Sequence, residues 1–208
     1  MIEQLAAPTG ASPELTRSLI TSAPLLEEDK ERRPREGDPM ARVGRITLFG
    51  DIQQHSAHSD GVGCADESYL RARYRYGDDF VALTDHESFL GKRTGPGEWR
   101  YLQDVALEYD DPGRFATLIA YEWTGRRNPG PGHKCVYLPK PGLPIVSRDD
   151  VPEGEALVKA IHGMGGIASP HHIGWTGCDE AGHQPEGQPV WEICSCHGCY
   201  EYADHPLG

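Results

Sequence analysis

No apolar run among the 208 residues approaches the ~18 needed to cross a bilayer, so no spanning helix is expected. Basic residues are scarce: 20 Lys and Arg face 32 Asp and Glu, giving a formal charge of −12. That balance argues against general nucleic-acid binding and against binding an anionic membrane, because both need clustered cations. A nucleotide held at a metal site stays compatible, since bound cations reverse the local sign. The first residues, MIEQLAAPTGASPEL, lack the basic start and apolar stretch of a secretory signal. The expectation is a soluble cytoplasmic protein. Internal repeats and low-complexity segments are also absent, and histidine does not occur before His55.

Residues 1–42 contain no aromatic residue and carry the charge run EEDKERRPRE. Such a stretch cannot bury enough apolar area to offset its ordering entropy, so it reads as a flexible arm or linker. A short helix capped by Ser12, with Pro13 at its first position, fits within it. Residues 43–208 then form one ordinary domain. Six cysteines in a chain of this size point to reduced thiols or a metal site rather than to a disulfide scaffold. Cys178, Cys194, Cys196 and Cys199 are compatible with a four-thiolate zinc site, although C-x-C-x2-C is not the paired C-x2-C spacing; ordinary thiols are the other reading.

Beyond residue 43, strand-like and helix-like segments alternate. RITLFGDI, DFVALTD, RFATLIAYEW, GIASPHH and PVWEICS read as strands, and HKCVYLP as a hairpin or extra strand. ADESYLRARYRY, EWRYLQDVALEY and EGEALVKAIHGMGG read as helices, the last stopped by glycines. This alternation favours a parallel sheet or a barrel. Polar groups fall at the strand ends: Asp51, Gln53, His55, Ser59 and Asp60, then Thr84, Asp85 and His86, then Glu122, then His171 and His172, with Glu192 in the last strand. In α/β enzymes the C-terminal strand ends share one rim, where sites are built. Carboxylates and imidazoles gathered there would need cations, because unpaired buried charge is costly.

The segment GDIQQHSAHSDG resembles the first motif of the PHP (polymerase and histidinol phosphatase) superfamily, and ALTDHESFLG its second. YEW is similar to the family's glutamate segment, GHKCVYL and GGIASPHH to its later histidine segments, and EICSCHGCYE to a largely uncharacterised bacterial branch. The resemblance implies an α/β fold of PHP type, a distorted (β/α)7 TIM-like barrel that is incomplete in this chain, over residues 43–208. It implies two or three divalent ions (Zn, Mn or Fe): His55 at the first, Asp60 and His86 at the second, Glu122 bridging, and His133 with His172 at the third. His171, one place away, is the alternative to His172. Two departures stand out. Gln53 occupies the place of the first histidine of the His-x-His pair, where its carbonyl is a weaker ligand or bonds a bound water. The closing Asp-x-His motif has no match; Asp204 and His205 are adjacent instead.

The implied activity is metal-dependent hydrolysis of a small-molecule or nucleotide phosphoester by a metal-activated hydroxide, with Glu122, His86 and Asp60 central. Arg126, Arg127 and Lys134 are candidate clamps for the substrate phosphate, and Asp85 or His58 could orient a ligand histidine. Hydrolysis of carbon–nitrogen or carboxylic ester bonds at the same metals is one alternative. A degenerate domain binding a metal or partner without turnover is another. An incomplete barrel exposes a sheet edge, so oligomerisation is possible.

Overall fold

The computed structural model describes residues 37–179 and 182–199. Most of the expected arm, its Ser12-capped helix, and Asp204 and His205 lie outside the described residues; of the arm's end, Pro39–Val43 forms one 3-10 turn. The elements are β1 (Gly50–Gln54), α1 (Ala65–Leu70) continued by a π-helical segment (Arg71–Tyr76), β2 (Phe80–Leu83), a hairpin of β3 (Ser88–Phe89) and β4 (Lys92–Arg93), and α2 (Pro96–Tyr109). There follow β5 (Ala116–Trp123), β6 (His133–Leu138), α3 (Gly154–Gly163), β7 (Ile167–His171), the single turn α4 (Ile173–Thr176), and a hairpin of β8 (Cys194–Ser195) and β9 (Gly198–Cys199).

The main sheet has the order β1-β2-β5-β6-β7 and curls into a half-barrel, so the fold is mixed α/β. β1, β2 and β5 run parallel, whereas β6 is antiparallel to both β5 and β7. The expectation of a parallel sheet is corrected at β6. Loop 124–132 is too short for the helical crossover that a parallel neighbour requires. The reversal has a useful consequence. His133, at the start of β6, sits on the same rim as the ends of β1, β2, β5 and β7.

Along β5 the alternate residues Tyr121 and Trp123 enter the apolar core, so Glu122 between them faces the opposite, concave side. α2 buries Trp99, Leu102, Val105, Ala106 and Tyr109, a stripe at helical spacing. It starts at Pro96, with Gly95 N donating to Glu98 Oε2. α3 buries Leu157 and Ile161, each contributing roughly 1.5–3 kcal/mol relative to exposure. Gly165, at φ +79°, turns the chain out of α3 into β7.

Two strands depart from expectation. β1 is shifted towards Gln54, and Ile46, Leu48 and Phe49 remain partly exposed beside an edge strand that, among the described residues, pairs with β2 alone. The expected strand PVWEICS does not join the sheet. Pro170 in β7 has no N–H to continue a ladder, and the segment makes one backbone bond there, Glu192 N to Pro170 O.

Candidate metal centre

The loop after β1 is built to deliver two side chains. Ser56 N and Oγ donate to Asp85 at 2.9 and 2.7 Å, and Ser59 Oγ donates to Asp85 at 2.6 Å. Gly61 N bonds Ser56 O, closing a turn so tight that a Cβ on Gly61 would lie 2.0 Å from His55 O. The turn presents His55 and Asp60 to the concave face. Asp85 therefore fixes the loop rather than a ligand imidazole, and His58 turns away to Glu98 at 2.9 Å; neither orients a candidate ligand histidine.

β2 ends in Thr84-Asp85-His86, and its pairing with β5 extends to a bridge between His86 and Glu122. Glu122 is fully buried and five imidazoles surround its carboxylate. His133 Nδ1 lies 2.6 Å from Oε1, with His86 Nδ1 at 3.5 Å and His172 Nε2 at 3.6 Å. His55 Nε2 lies 3.0 Å from Oε2, with His171 Nε2 at 3.6 Å and Gln53 Nε2 at 3.3 Å. Asp60 completes the rim, 2.5 Å from His55 Nδ1 and 3.6 Å from His86 Nε2. His172 reaches the cluster through a left-handed backbone, φ +32°, held by its N–H to Glu192 Oε1.

The electrostatics follow from one buried carboxylate shared by many imidazoles. Burial opposes the charge on Glu122, yet N–H donors from His133, His172 and His55 hold its carboxyl well below the ordinary value. Burial likewise opposes a charge on His55, but Glu122 and Asp60 raise it to about 9. Burial drives His86 down to about 4 against the pull of Glu122. His172 is also driven to about 4 by burial, with Glu122 opposing and His171 adding. In this arrangement protonated His55 sits where a cation would.

Gln53, His55, Asp60, His86, Glu122, His133 and His172 thus meet at one cavity of about 340 Å³. Arg127 borders it, stacked on Trp175 at 4.6 Å, while Arg126 lines an adjoining cavity of the same size with Arg127 and Arg148. Lys134 is not brought to either. It follows His133 in β6, so it faces the other side, buried with Nζ donating to Pro131 O. Residues assigned no role in the centre from sequence also join it or its mouth, among them Cys135, Phe89, Trp175 and His197, as does His171, there only an alternative. Cys135 was detectable, since it lies two residues from His133 on the same strand face; His197 comes from a distant hairpin that no local pattern marks. Among the described side chains, Cys178, Cys194 and Cys196 form no disulfide and no ligand group with one another.

Three sets of ligand atoms lie within 4.8 Å of one another: His55, Asp60 and His86; His86, Glu122 and His133; and Glu122, Cys135 and His171. His171 Nε2 is buried without a hydrogen-bond partner among the described residues; with Nδ1 donating to Glu192, it carries an orphaned lone pair that a cation would satisfy. The residues therefore fit divalent metals of borderline softness.

Fold and pocket together define an α/β protein with a buried histidine–carboxylate centre. The family described as "Protein of unknown function (DUF3604)" matches residues 94–145, a segment that contains Glu122, Arg126, Arg127 and His133. No curated protein matches. A crystal structure of a two-domain protein containing a predicted PHP-like metal-dependent phosphoesterase, from Bacteroides vulgatus ATCC 8482, aligns at 19% identity with a TM-score of 0.44. The match covers 68% of this chain, which spans only 37% of that one.

Proposed function

We propose that this chain is a metal-dependent hydrolase of phosphoesters, using two or three divalent ions (Zn, Mn or Fe) and acting on a small-molecule or nucleotide substrate in the cytoplasm. One observation carries the reading: five imidazoles lie within 3.6 Å of a single buried carboxylate, at the floor of a cavity bordered by arginine.

When bound, divalent ions supply Lewis-acid polarisation of the phosphoryl group and acidify a water. Glu122, between the two groups of imidazoles, would space and neutralise the cations. His55, Asp60 and His86 would hold the position nearest solvent, and His133 and His172 the one behind it. Gln53 can turn its amide carbonyl toward the His55 side. Arg127, its guanidinium braced by Trp175, offers donors to a substrate anion at the cavity mouth. Arg126 and Arg148 make the neighbouring cavity cationic as well, in a chain whose net charge is −12. That local excess of positive charge favours a phosphoester over a neutral amide or carboxylic ester.

A panel of chromogenic phosphate mono- and diesters, assayed with added Mn, Zn or Fe, tests the proposal. Turnover that disappears in Glu122→Gln supports it. Turnover confined to amide or carboxylic ester substrates favours the second hydrolase reading, and metal binding without any turnover favours a non-catalytic domain.

A further inference from the structure

Cys135 lies opposite Glu122 in the β5–β6 ladder and is buried. Its Sγ, His171 Nε2 and a carboxylate oxygen of Glu122 are all within 4.8 Å of one another. The side chains of Tyr137 and Thr84 also lie within reach of the thiol. His171 Nε2 is unpartnered and 1% exposed, 3.6 Å from Glu122 Oε2, while its Nδ1 is fixed by Glu192 at 2.6 Å. Ligands at ~2.0–2.3 Å from a tetrahedral ion are roughly 3.4–3.7 Å apart. The His171–Glu122 spacing already meets that condition, and the thiol needs to close by roughly 1.4 Å at most.

We propose that Cys135 supplies a thiolate ligand, together with His171 and Glu122, to the innermost cation of this centre, and that this makes the position selective for zinc or ferrous iron over magnesium. The inference rests on the metal-centre reading above. Charge supports it: Glu122 is one anion shared among several positions, and two or more buried divalent charges need further anions close by. Asp60 supplies one on the solvent side, and Cys135 supplies one on the inner side. As the sulfur–metal bond forms, the thiol proton leaves to solvent. Thiolate softness sets the metal preference, because magnesium takes hard oxygen ligands and binds sulfur poorly.

Cobalt(II) titration of the full chain tests this. The bound ion should show a near-ultraviolet sulfur-to-cobalt charge-transfer band, and X-ray absorption of the zinc form a sulfur shell at ~2.3 Å. Cys135→Ser should abolish the band and weaken zinc at least ~10-fold, while magnesium binding changes little. Should that variant fail to fold, replacing the other five cysteines with serine leaves Cys135 as the sole thiol; the band should then persist. Cobalt binding without a band, a band that survives Cys135→Ser, or one lost from the Cys135-only protein overturns the inference and leaves the hydrolase reading intact. Absence of any cobalt binding overturns both.

Discussion

His171 is held between two carboxylates: its Nδ1 donates to Glu192 Oε2 at 2.6 Å, while its Nε2 faces Glu122 Oε2 at 3.6 Å with no hydrogen bond. A proton fixed on Nδ1 leaves the Nε2 lone pair aimed inward, the arrangement by which carboxylates prepare imidazoles for metals. Glu192→Gln keeps the shape and weakens that preparation. Zinc affinity should fall ~10-fold or more, with circular dichroism unchanged, as read by competition with a chromophoric chelator.

Asp85 should behave as a structural residue. It accepts three bonds from Ser56 and Ser59 in a buried setting, so Asp85→Ala strands several donors. Unfolding in denaturant should show a loss of at least ~2 kcal/mol. A fall in metal affinity with stability unchanged would instead make it part of the metal centre.

Glu98 ties the His55–Asp60 loop to α2 through His58 and Lys92, each at 2.9 Å. Burial opposes its ionisation, yet those donors hold its carboxyl below the ordinary 4.5. A carboxyl lowered on folding stabilises the fold above its unfolded value and loses that contribution as pH falls through the folded value. Glu98→Gln should therefore cost ~0.5–1 kcal/mol at pH 7. The difference should shrink steadily as denaturation is repeated at pH values below 4.5.

Arg127 should act on substrate rather than on metal. Arg127→Ala should raise KM for a phosphoester ~10-fold or more while leaving metal content unchanged. Arg127→Lys should restore little, because a lysine cannot reproduce the planar fork or its stacking on Trp175.

Much of the centre could be read from sequence because local chemistry fixes it. The apolar run of β2 stops abruptly at Thr84-Asp85-His86, and Ser59-Asp60-Gly61 encodes the tight turn that brings Asp60 back to His55. The direction of β6 depended on how loop 124–132 closes, a long-range matter. Strand alternation alone would have separated Lys134 from His133, and the buried Nζ agrees. The choice between His171 and His172 could not be made that way. Adjacent strand residues should face opposite sides, but the left-handed backbone at His172 turns both rings toward Glu122. The weak PVWEICS strand shows the same limit: its composition suits a sheet, but Pro170 on the neighbouring strand interrupts the ladder.

The most direct test of the central claim is elemental analysis after loading the purified protein with zinc or manganese and removing free ions. The account predicts at least two equivalents of metal per chain, with at least one lost in His86→Ala. A protein that retains no metal under those conditions would contradict it.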